Sequence, residues 1–570
     1  MINNNIINKN EISVRILNEA YKEFNGINAF IINLKISKML ANLIKGMFGP
    51  YGFGKLIEDS SNNFRFTHKG HNTLKFLKKK LPFAKIYYKY LETQEQICGD
   101  GTKSIILFSH LLLEKAFSLI EQGFSPALIY KGFSIAAKLA LKVLEENIII
   151  IKNNDWERIK ALIYNVFSNR FEINIKDFFS RLIINELKTK RLMNNEVDKF
   201  SFDNILFKRI TGKNVLDSDI INGLIIFREK PFSFLPNIIK NPKIILVNNR
   251  LDFFIKENKK FMFEANIDTP SKLKEFHDFN VKYYNKIAIT LKEKGINVIF
   301  CKKSINKELI KSCTKKGIIA LELIQKDDFE ILSKILQVKF VSSLNDISNQ
   351  NIGTADFIEF KTFSDKKLLL IGRDSCDFLT FLIFGCNNYI LDDLEESLKA
   401  ALKVLINTIK DKKILPGGGA LECEITKTLR EKAKKEHGKV QVVILEYGKA
   451  LESLISYVFM NAGEDPLELI PNLRFKHYLN RKYSGFDCYM KKIVNVIEEG
   501  IFDGYRVKRL MFRLVDELIR QILRIDNLII LANKELNDKL KNEKETIKIM
   551  KRNEEMRNFF KKNEEKMFST

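Results

Sequence analysis

Apolar residues recur at helical spacing from Ile31 to Met47, and the pattern stops at Gly49-Pro50, where proline's fixed φ and missing N–H block continuation. A second long helical pattern, Ser104 to Phe117, opens directly after the Gly99-Asp-Gly-Thr102 turn, and a third runs from Pro126 to Glu146. The first 150 residues therefore read as helices. The middle of the chain changes period. Apolar, β-branched runs at Gly223–Phe227, Lys243–Val247 and Ile296–Phe300 read as strands, and the helical stretch Lys274 to Lys294 feeds the last of them through Gly295. Helix followed by buried strand predicts an α/β arrangement. From Asp392 the pattern returns to helix, with Leu398 to Ile409 amphipathic. Pro416-Gly-Gly-Gly419 interrupts it, and further long helices extend to about Ala532. Helical ends around an α/β middle predict an inserted domain, with the two ends folding together.

The tail beyond Asn533 carries dense charge of both signs and few apolar residues, as a solvated helix or mobile tail would. No internal repeat is found. The longest apolar stretches, such as Phe378 to Phe384, fall far short of the ~20 residues that span a bilayer. The N-terminus lacks the charged start and apolar core of a secretory signal.

Composition changes this picture little. A length of 570 residues implies about two to four domains. An apolar fraction of 45% and an aromatic fraction of 11% suffice for several cores and exclude a disordered chain. The abundance of Ile, Lys, Asn and Phe reads as A/T-rich coding, which inflates the lysine count. The net charge of +25 invites a polyanionic partner, yet the basic residues are spread along the whole chain without a nucleic-acid motif. A solvated basic surface is the plainer reading, so neither nucleic acid nor membrane is expected as a partner. The seven cysteines (98, 301, 313, 376, 386, 423 and 488) form no CxxC pair or Cys/His cluster, which excludes a zinc site or disulfide framework by pattern. A soluble, cytoplasmic protein in a reducing compartment is the expectation.

Three glycine-bearing segments carry candidate chemistry: Gly49-Pro-Tyr-Gly52, Cys98-Gly-Asp-Gly-Thr102 and Pro416-Gly-Gly-Gly419. A glycine turn opening a helix aims free N–H groups and the positive end of the helix dipole at an anion. An aspartate in such a turn is placed to hold Mg²⁺, which favours one or two carboxylates plus phosphate oxygens. Each segment alone reads more simply as a plain turn. Their order carries more. GPYGFGKLI (49–57), FTHKGHNTLKFL (66–77), GDGTKSIILFSHLLLEKAFSLIEQGFSPALIYKGF (99–133), LPGGGALECEI (415–425), NAGEDPLELI (461–470) and GIFDGYRVKRL (500–510) follow one another as in group II chaperonins. From about residue 20 to residue 532 the chain resembles subunits of the eukaryotic cytosolic TCP-1 ring complex that folds actin and tubulin, strongly at both ends and weakly in the middle. KEFNGI (23–28), VIEEGIFDGY (496–505) and LRIDNLI (523–529) look most like its theta subunit.

The resemblance implies a multidomain α + α/β chaperonin architecture: a helical equatorial ATP-binding domain (1–149 and 410–570), a small α/β intermediate domain (150–222 and 374–409) and an α/β apical client-binding domain (223–373). Leu251 to Glu275, with Phe253, Phe254, Phe261 and Phe263, would be the apical helical protrusion acting as a built-in lid, and the tail would point into the ring cavity. The implied partners are homologous subunits in a double ring and unfolded clients such as actin and tubulin. The implied cofactors are ATP and Mg²⁺. Nucleotide contacts carry over to Gly49, Pro50, Gly99, Asp100, Gly101, Thr102, Ser104, Gly417, Gly418 and Asp503, with Asp100 for the metal and Asp503 for the ribose hydroxyls.

Departures from the family pattern concern hydrolysis. The aspartate beside the attacking water stands at Lys69, and the intermediate-domain aspartate, sixteen positions ahead of Pro416, stands at Ala400. Neither ammonium nor methyl accepts a proton, and a positioned base is worth roughly 10²–10⁴ in rate. Lys69 could instead favour ATP retention as a cation near the γ-phosphate. Glu396, one helical turn before Ala400 and on the same face, is the possible substitute. Lys103 and Gly504 replace a usual Thr and Pro. His68 and His71, flanking Lys69 with no carboxylate partner evident, read as surface or packing residues, and His110 as core. Two further readings stay open: an ordinary hydrolysing subunit, with Glu396 or a neighbouring subunit supplying the carboxylate, and a basic nucleic-acid-binding protein on a borrowed fold.

Overall fold

The computed structural model of the chain describes residues 21–58, 64–77, 82–152, 155–167, 171–189, 201–251, 270–344, 347–363 and 365–531. Most of the expected protrusion (residues 252–269, with its four phenylalanines) and the charged tail lie outside the described residues.

Strand β1 (Tyr21–Asn25) leads into α1 (Ile27–Ile44), whose end tightens into a single 3₁₀ turn, Lys45–Met47. A hairpin of β2 (Lys55–Glu58) and β3 (Phe64–Thr67) is followed by α2 (Gly70–Leu77), α3 (Pro82–Ile97), α4 (Thr102–Glu121) and α5 (Pro126–Glu146). The start of α5 is written locally: Ser125 accepts from the Leu128 N–H, and Pro126 needs no hydrogen-bond partner at the first position. The two-residue strand β4 (Ile149–Ile150) then leads to α6 (Trp156–Phe167) and α7 (Ile173–Thr189).

The middle holds two sheets. Strands β5 (Ile205–Thr211), β6 (Asp219–Phe227), β7 (Ile238–Lys240), β12 (Phe357–Phe363), β13 (Lys366–Gly372) and β14 (Leu379–Gly385) form a six-stranded sheet in the order β5-β14-β6-β13-β12-β7. Only the β5–β14 pair in it is parallel. Strands β8 (Lys243–Val247), β9 (Val298–Cys301) and β10 (Ile319–Leu321) run parallel, with β11 (Gly353–Thr354) antiparallel at the edge of β8. Helices α8 (Pro270–Glu293), α9 (Lys307–Lys315) and α10 (Lys326–Leu336) cover them. The expected 222/223 junction falls inside β6, so one sheet runs through it.

The return path is α11 (Asn388–Asp411), β15 (Lys413–Pro416), α12 (Ala420–Ala433), α13 (Lys439–Asn461) and α14 (Pro466–Tyr478). A hairpin of β16 (Ser484–Asp487) and β17 (Lys492–Asn495), then β18 (Phe502–Gly504), α15 (Tyr505–Ile522) and β19 (Asn527–Leu531), completes it. The reading of both chain ends as wholly helical is corrected. Strand β1 pairs with β19 across the chain, and β15 joins β4 to β18 in a three-stranded sheet. These strands are too short to leave a period in the sequence.

One core unites the chain's two ends: Phe108, Phe133, Tyr447 and Phe512 meet edge-on inside a bundle of α1, α3, α4, α5, α12, α13 and α15. A second core joins α6, α7 and α11 to β5 and β14, while others lie on the faces of the two middle sheets. Helix α1 with its 3₁₀ turn, Ile27–Met47, is long and apolar enough by length and composition to cross a membrane, contrary to the expected shortness of apolar stretches. Its Phe30, Leu40, Ala41, Ile44 and Met47 are buried in the first core, which accounts for that character.

Candidate functional site

Helices α4 and α12 both begin at glycine turns, and their starts converge. Gly101 caps α4 at φ 85°, and a Cβ there would lie 2.7 Å from Gln94 Nε2 and 2.8 Å from Val507 Cγ1. Only glycine suits both the angle and the space. At Gly418, φ is 60° and an added Cβ would stand 2.7 Å from the Phe486 carbonyl oxygen. These turns, the Gly49-Pro50 loop and the β18–α15 junction enclose a cavity of about 410 Å³. Of the residues expected to bind nucleotide, Gly49, Pro50, Asp100, Gly101, Ser104, Gly418 and Asp503 line it. Gly99, Thr102 and Gly417 belong to the same turns but are not in the lining. A Cβ on Gly99 would lie 2.9 Å from Lys403, Thr102 is buried as the first residue of α4, and the Gly417 N–H donates to Ile501 O.

Asp100 presents its carboxylate to this cavity, and among the described residues no hydrogen bond or ion pair engages it. At the other end, Lys508 on the first turn of α15 donates to Glu422 and sits 3.1 Å from Asp503. Burial pulls the Lys508 ammonium down, but the Asp503 and Glu422 carboxylates outweigh it and hold its pKa above the ordinary lysine value. Burial pushes Asp503 above the ordinary carboxylate range, against the pull of Lys508. Among the described residues, one Glu422 oxygen is buried without a partner. Sequence reading missed Lys508 and Glu422. Their signal was position, each on the first turn of a helix that starts at the site.

The residues tied to hydrolysis stand apart from the lining. Lys69 Nζ lies 2.5 Å from Glu95 Oε1, with the two side chains only 10% and 16% exposed. This ion pair consumes the charge proposed for a γ-phosphate. Ala400 is buried on α11, its Cα 3.3 Å from where a Cβ on Gly99 would be, so the α11 backbone passes close to the Gly99 turn at a residue that offers no carboxylate. Glu396 accepts hydrogen bonds from Thr67 Oγ1, at 3.0 Å, and from Asn72 Nδ2. The same side of α11 continues with Lys403 donating to Glu95 O, Asn407 to Ile97 O, and Asp411 accepting from Arg506.

The histidine reading needs correction for His68. It is buried, and its Nε2 is 3.8 Å from Asp393 Oδ2, a carboxylate partner brought by α11 from more than 300 residues away. His71 stacks on Tyr88 with ring centroids 4.9 Å apart, and burial lowers its pKa. His110 is a core residue, 3.0 Å from Ser37 Oγ, and burial lowers its pKa too. Among the described residues no group of three or more His, Cys, Asp or Glu side chains could hold a metal ion without other donors.

Comparison with known proteins finds thermosome subunits that match most of the chain's length. A thermosome subunit of Methanopyrus kandleri is 28% identical over 517 residues, covering 90% of this chain and 94% of the relative. A thermosome subunit of Methanothermococcus thermolithotrophicus is 29% identical over 520 residues, with the same coverage of 90% and 94%. The thermosome subunit gamma of Saccharolobus solfataricus is 28% identical over 522 residues, covering 91% and 96%. The family model described as the TCP-1/cpn60 chaperonin family matches residues 40–534. The chain therefore belongs to the TCP-1/cpn60 chaperonin family and resembles its group II, thermosome-type members.

Proposed function

We propose that this chaperonin subunit binds ATP in the cavity between α4, α12 and α15 and hydrolyses it slowly or not at all. The carrying observation is that the nucleotide-turn residues converge on one cavity, while Lys69 is locked to Glu95 and Ala400 presents only a methyl. Phosphates would meet the first N–H groups of α4 and α12. Asp503, anchored by Lys508, would accept the ribose hydroxyls. The donor set suits Mg²⁺ in the usual nucleotide manner: Asp100 supplies one carboxylate, and phosphate oxygens and water would complete the shell. Bound there, the ion would neutralise phosphate charge. At Lys69 and Ala400, the positions of the family aspartates, no group stands to take the proton from attacking water. Without that base a rate loss of roughly 10²–10⁴ follows. Glu396 is a poor substitute, because Thr67 and Asn72 already hold its carboxylate.

The division into an equatorial unit (1–149 and 410–570), an intermediate unit (150–222 and 374–409) and an apical unit (223–373) belongs to this reading. The shared core of the chain ends and the α/β sheets of the middle support it. So do assembly with homologous subunits in a cytoplasmic double ring and binding of unfolded clients, of which actin and tubulin are the expectation. The theta-type assignment rests on the segments at 23–28, 496–505 and 523–529.

Calorimetric titration with ATP and ADP tests the binding half. Saturable binding that Asp503→Ala weakens about tenfold supports it, in line with the loss of a charge-assisted hydrogen bond. An unmutated chain that binds neither nucleotide refutes it.

A further inference from the structure

The cavity also has an aromatic wall, to which neither the phosphate nor the ribose contacts give a role. Tyr164 of α6 and Tyr489 of the β16–β17 hairpin both line it, beside Cys488 and Glu499. Tyr489 is 49% exposed, so much of its ring is open. Tyr51, next to Gly49-Pro50, meets that ring from one side with centroids 5.8 Å apart. The wall adjoins the ribose end. The Asn165 amide, next to Tyr164, donates to Gly500 O and Phe502 O, on the segment that leads into Asp503.

Tyr489 is held at both ends. Asp487 Oδ1 accepts from the Tyr489 and Met490 N–H groups at 2.7 and 3.1 Å, which fixes the backbone of the hairpin turn. At the far end the Tyr489 hydroxyl accepts from Lys176 Nζ at 3.2 Å. Lys176, on the first turn of α7, is only 2% exposed, and its Nζ lies 5.1 Å from the centre of the Tyr164 ring and 5.4 Å from that of Tyr489. Among the described residues no carboxylate pairs with this ammonium, and its contacts converge on the two cavity tyrosines. Burial lowers the Lys176 pKa and pushes the Tyr489 phenol up to about 12, so the phenol stays protonated. A buried ammonium without a counter-ion is costly to fold. What it secures here is the orientation of one half-exposed ring.

We infer that Tyr489 is the surface on which the base of the nucleotide stacks, and that Lys176 is the positioning residue that holds its ring in place. This role rests on the nucleotide reading above and sets the choice of base. A ring already fixed loses little freedom when a ligand arrives, so stacking goes into affinity. Stacking strength differs between bases, and a purine covers more of such a ring than a pyrimidine does.

The test is equilibrium titration of the full chain with ADP and with UDP, which share ribose and phosphates and differ in the base alone. The unmutated chain should bind ADP at least about tenfold more tightly than UDP. Tyr489→Leu should bring the two within about threefold, chiefly by weakening ADP. Lys176→Met, which keeps the stem and removes the ammonium, should lower the ratio part of the way, and Lys176→Arg should restore it. A merely structural loss would weaken both nucleotides alike and leave the ratio standing. An unchanged ratio in Tyr489→Leu overturns the stacking role. An unchanged ratio in Lys176→Met, with helix content intact by circular dichroism, overturns the positioning role. An unmutated chain that binds ADP and UDP equally overturns the inference while the nucleotide reading survives. One that binds neither overturns that reading, and the role of the wall falls with it.

Discussion

Replacing Lys69 with methionine isolates the contact on which the hydrolysis argument turns. The substitution keeps the apolar stem and removes the ammonium from a pair whose side chains are 10% and 16% exposed. Breaking a buried pair by removing one partner costs about 3–5 kcal/mol, because the other charge stays buried and uncompensated. Glu95 keeps some relief here, since Lys403 donates to its backbone carbonyl nearby, so about 2–3 kcal/mol is the better figure. Glu95→Gln should cost a similar amount by stranding Lys69. The double variant should cost less than either single one, because a neutral pair of similar volume needs no compensation. A coupling of about 3–5 kcal/mol would then emerge from the cycle. At roughly 2–4 °C per kcal/mol, each single variant should lower the calorimetric transition of the helical core by about 4–12 °C, and the double by a few degrees at most. Single variants within ~0.5 kcal/mol of the unmutated chain, or strictly additive losses, would refute the pairing. Lys69 would then be available to a γ-phosphate after all.

The structure yields further expectations. Lys69→Asp with Ala400→Asp should raise ATP turnover about a hundredfold or more, whereas either alone should do little, since each family aspartate serves the same water. Unchanged turnover in the double variant would count against the missing-carboxylate explanation. Gly101→Ala forces φ 85° on an L-residue and drives its Cβ to 2.7 Å from Gln94 Nε2, so nucleotide affinity should drop at least about tenfold while helix content by circular dichroism persists. His71 and His110 have folded pKa values pushed below 6.5 by burial. The unfolded chain therefore binds more protons just below 6.5, and stability should fall as pH drops from 6.5 towards those lowered values. Thermal melts across that window should show the decline, and His110→Gln should flatten part of it.

Much of the helical frame was legible because its signals are local. Ser125-Pro126 announces α5, the Gly99 turn announces α4, and Gly295 separates α8 from β9. The cavity residues were legible as a set because each sits in a glycine turn or just beyond one. What stayed hidden depends on distant segments meeting. Whether Lys69 faces phosphate or Glu95 is decided by how α3 packs, and no periodicity reports that. Asp393 and Glu396 find His68, Thr67 and Asn72 only once α11 lies across the β3–α2 junction. The β1–β19 and β4–β15–β18 pairings likewise join strands of two to five residues from opposite ends of the chain. Lys103 was visible as a departure in the sequence, but its place in the cavity wall shows only in the folded chain.

The most direct test of the central claim is single-turnover release of γ-phosphate from ATP bound to the purified chain, followed by rapid quench. ATP should bind and be recovered intact, with release slowed roughly 10²–10⁴-fold against a chaperonin subunit that keeps its three carboxylates. Release at the rate of such a subunit would contradict it.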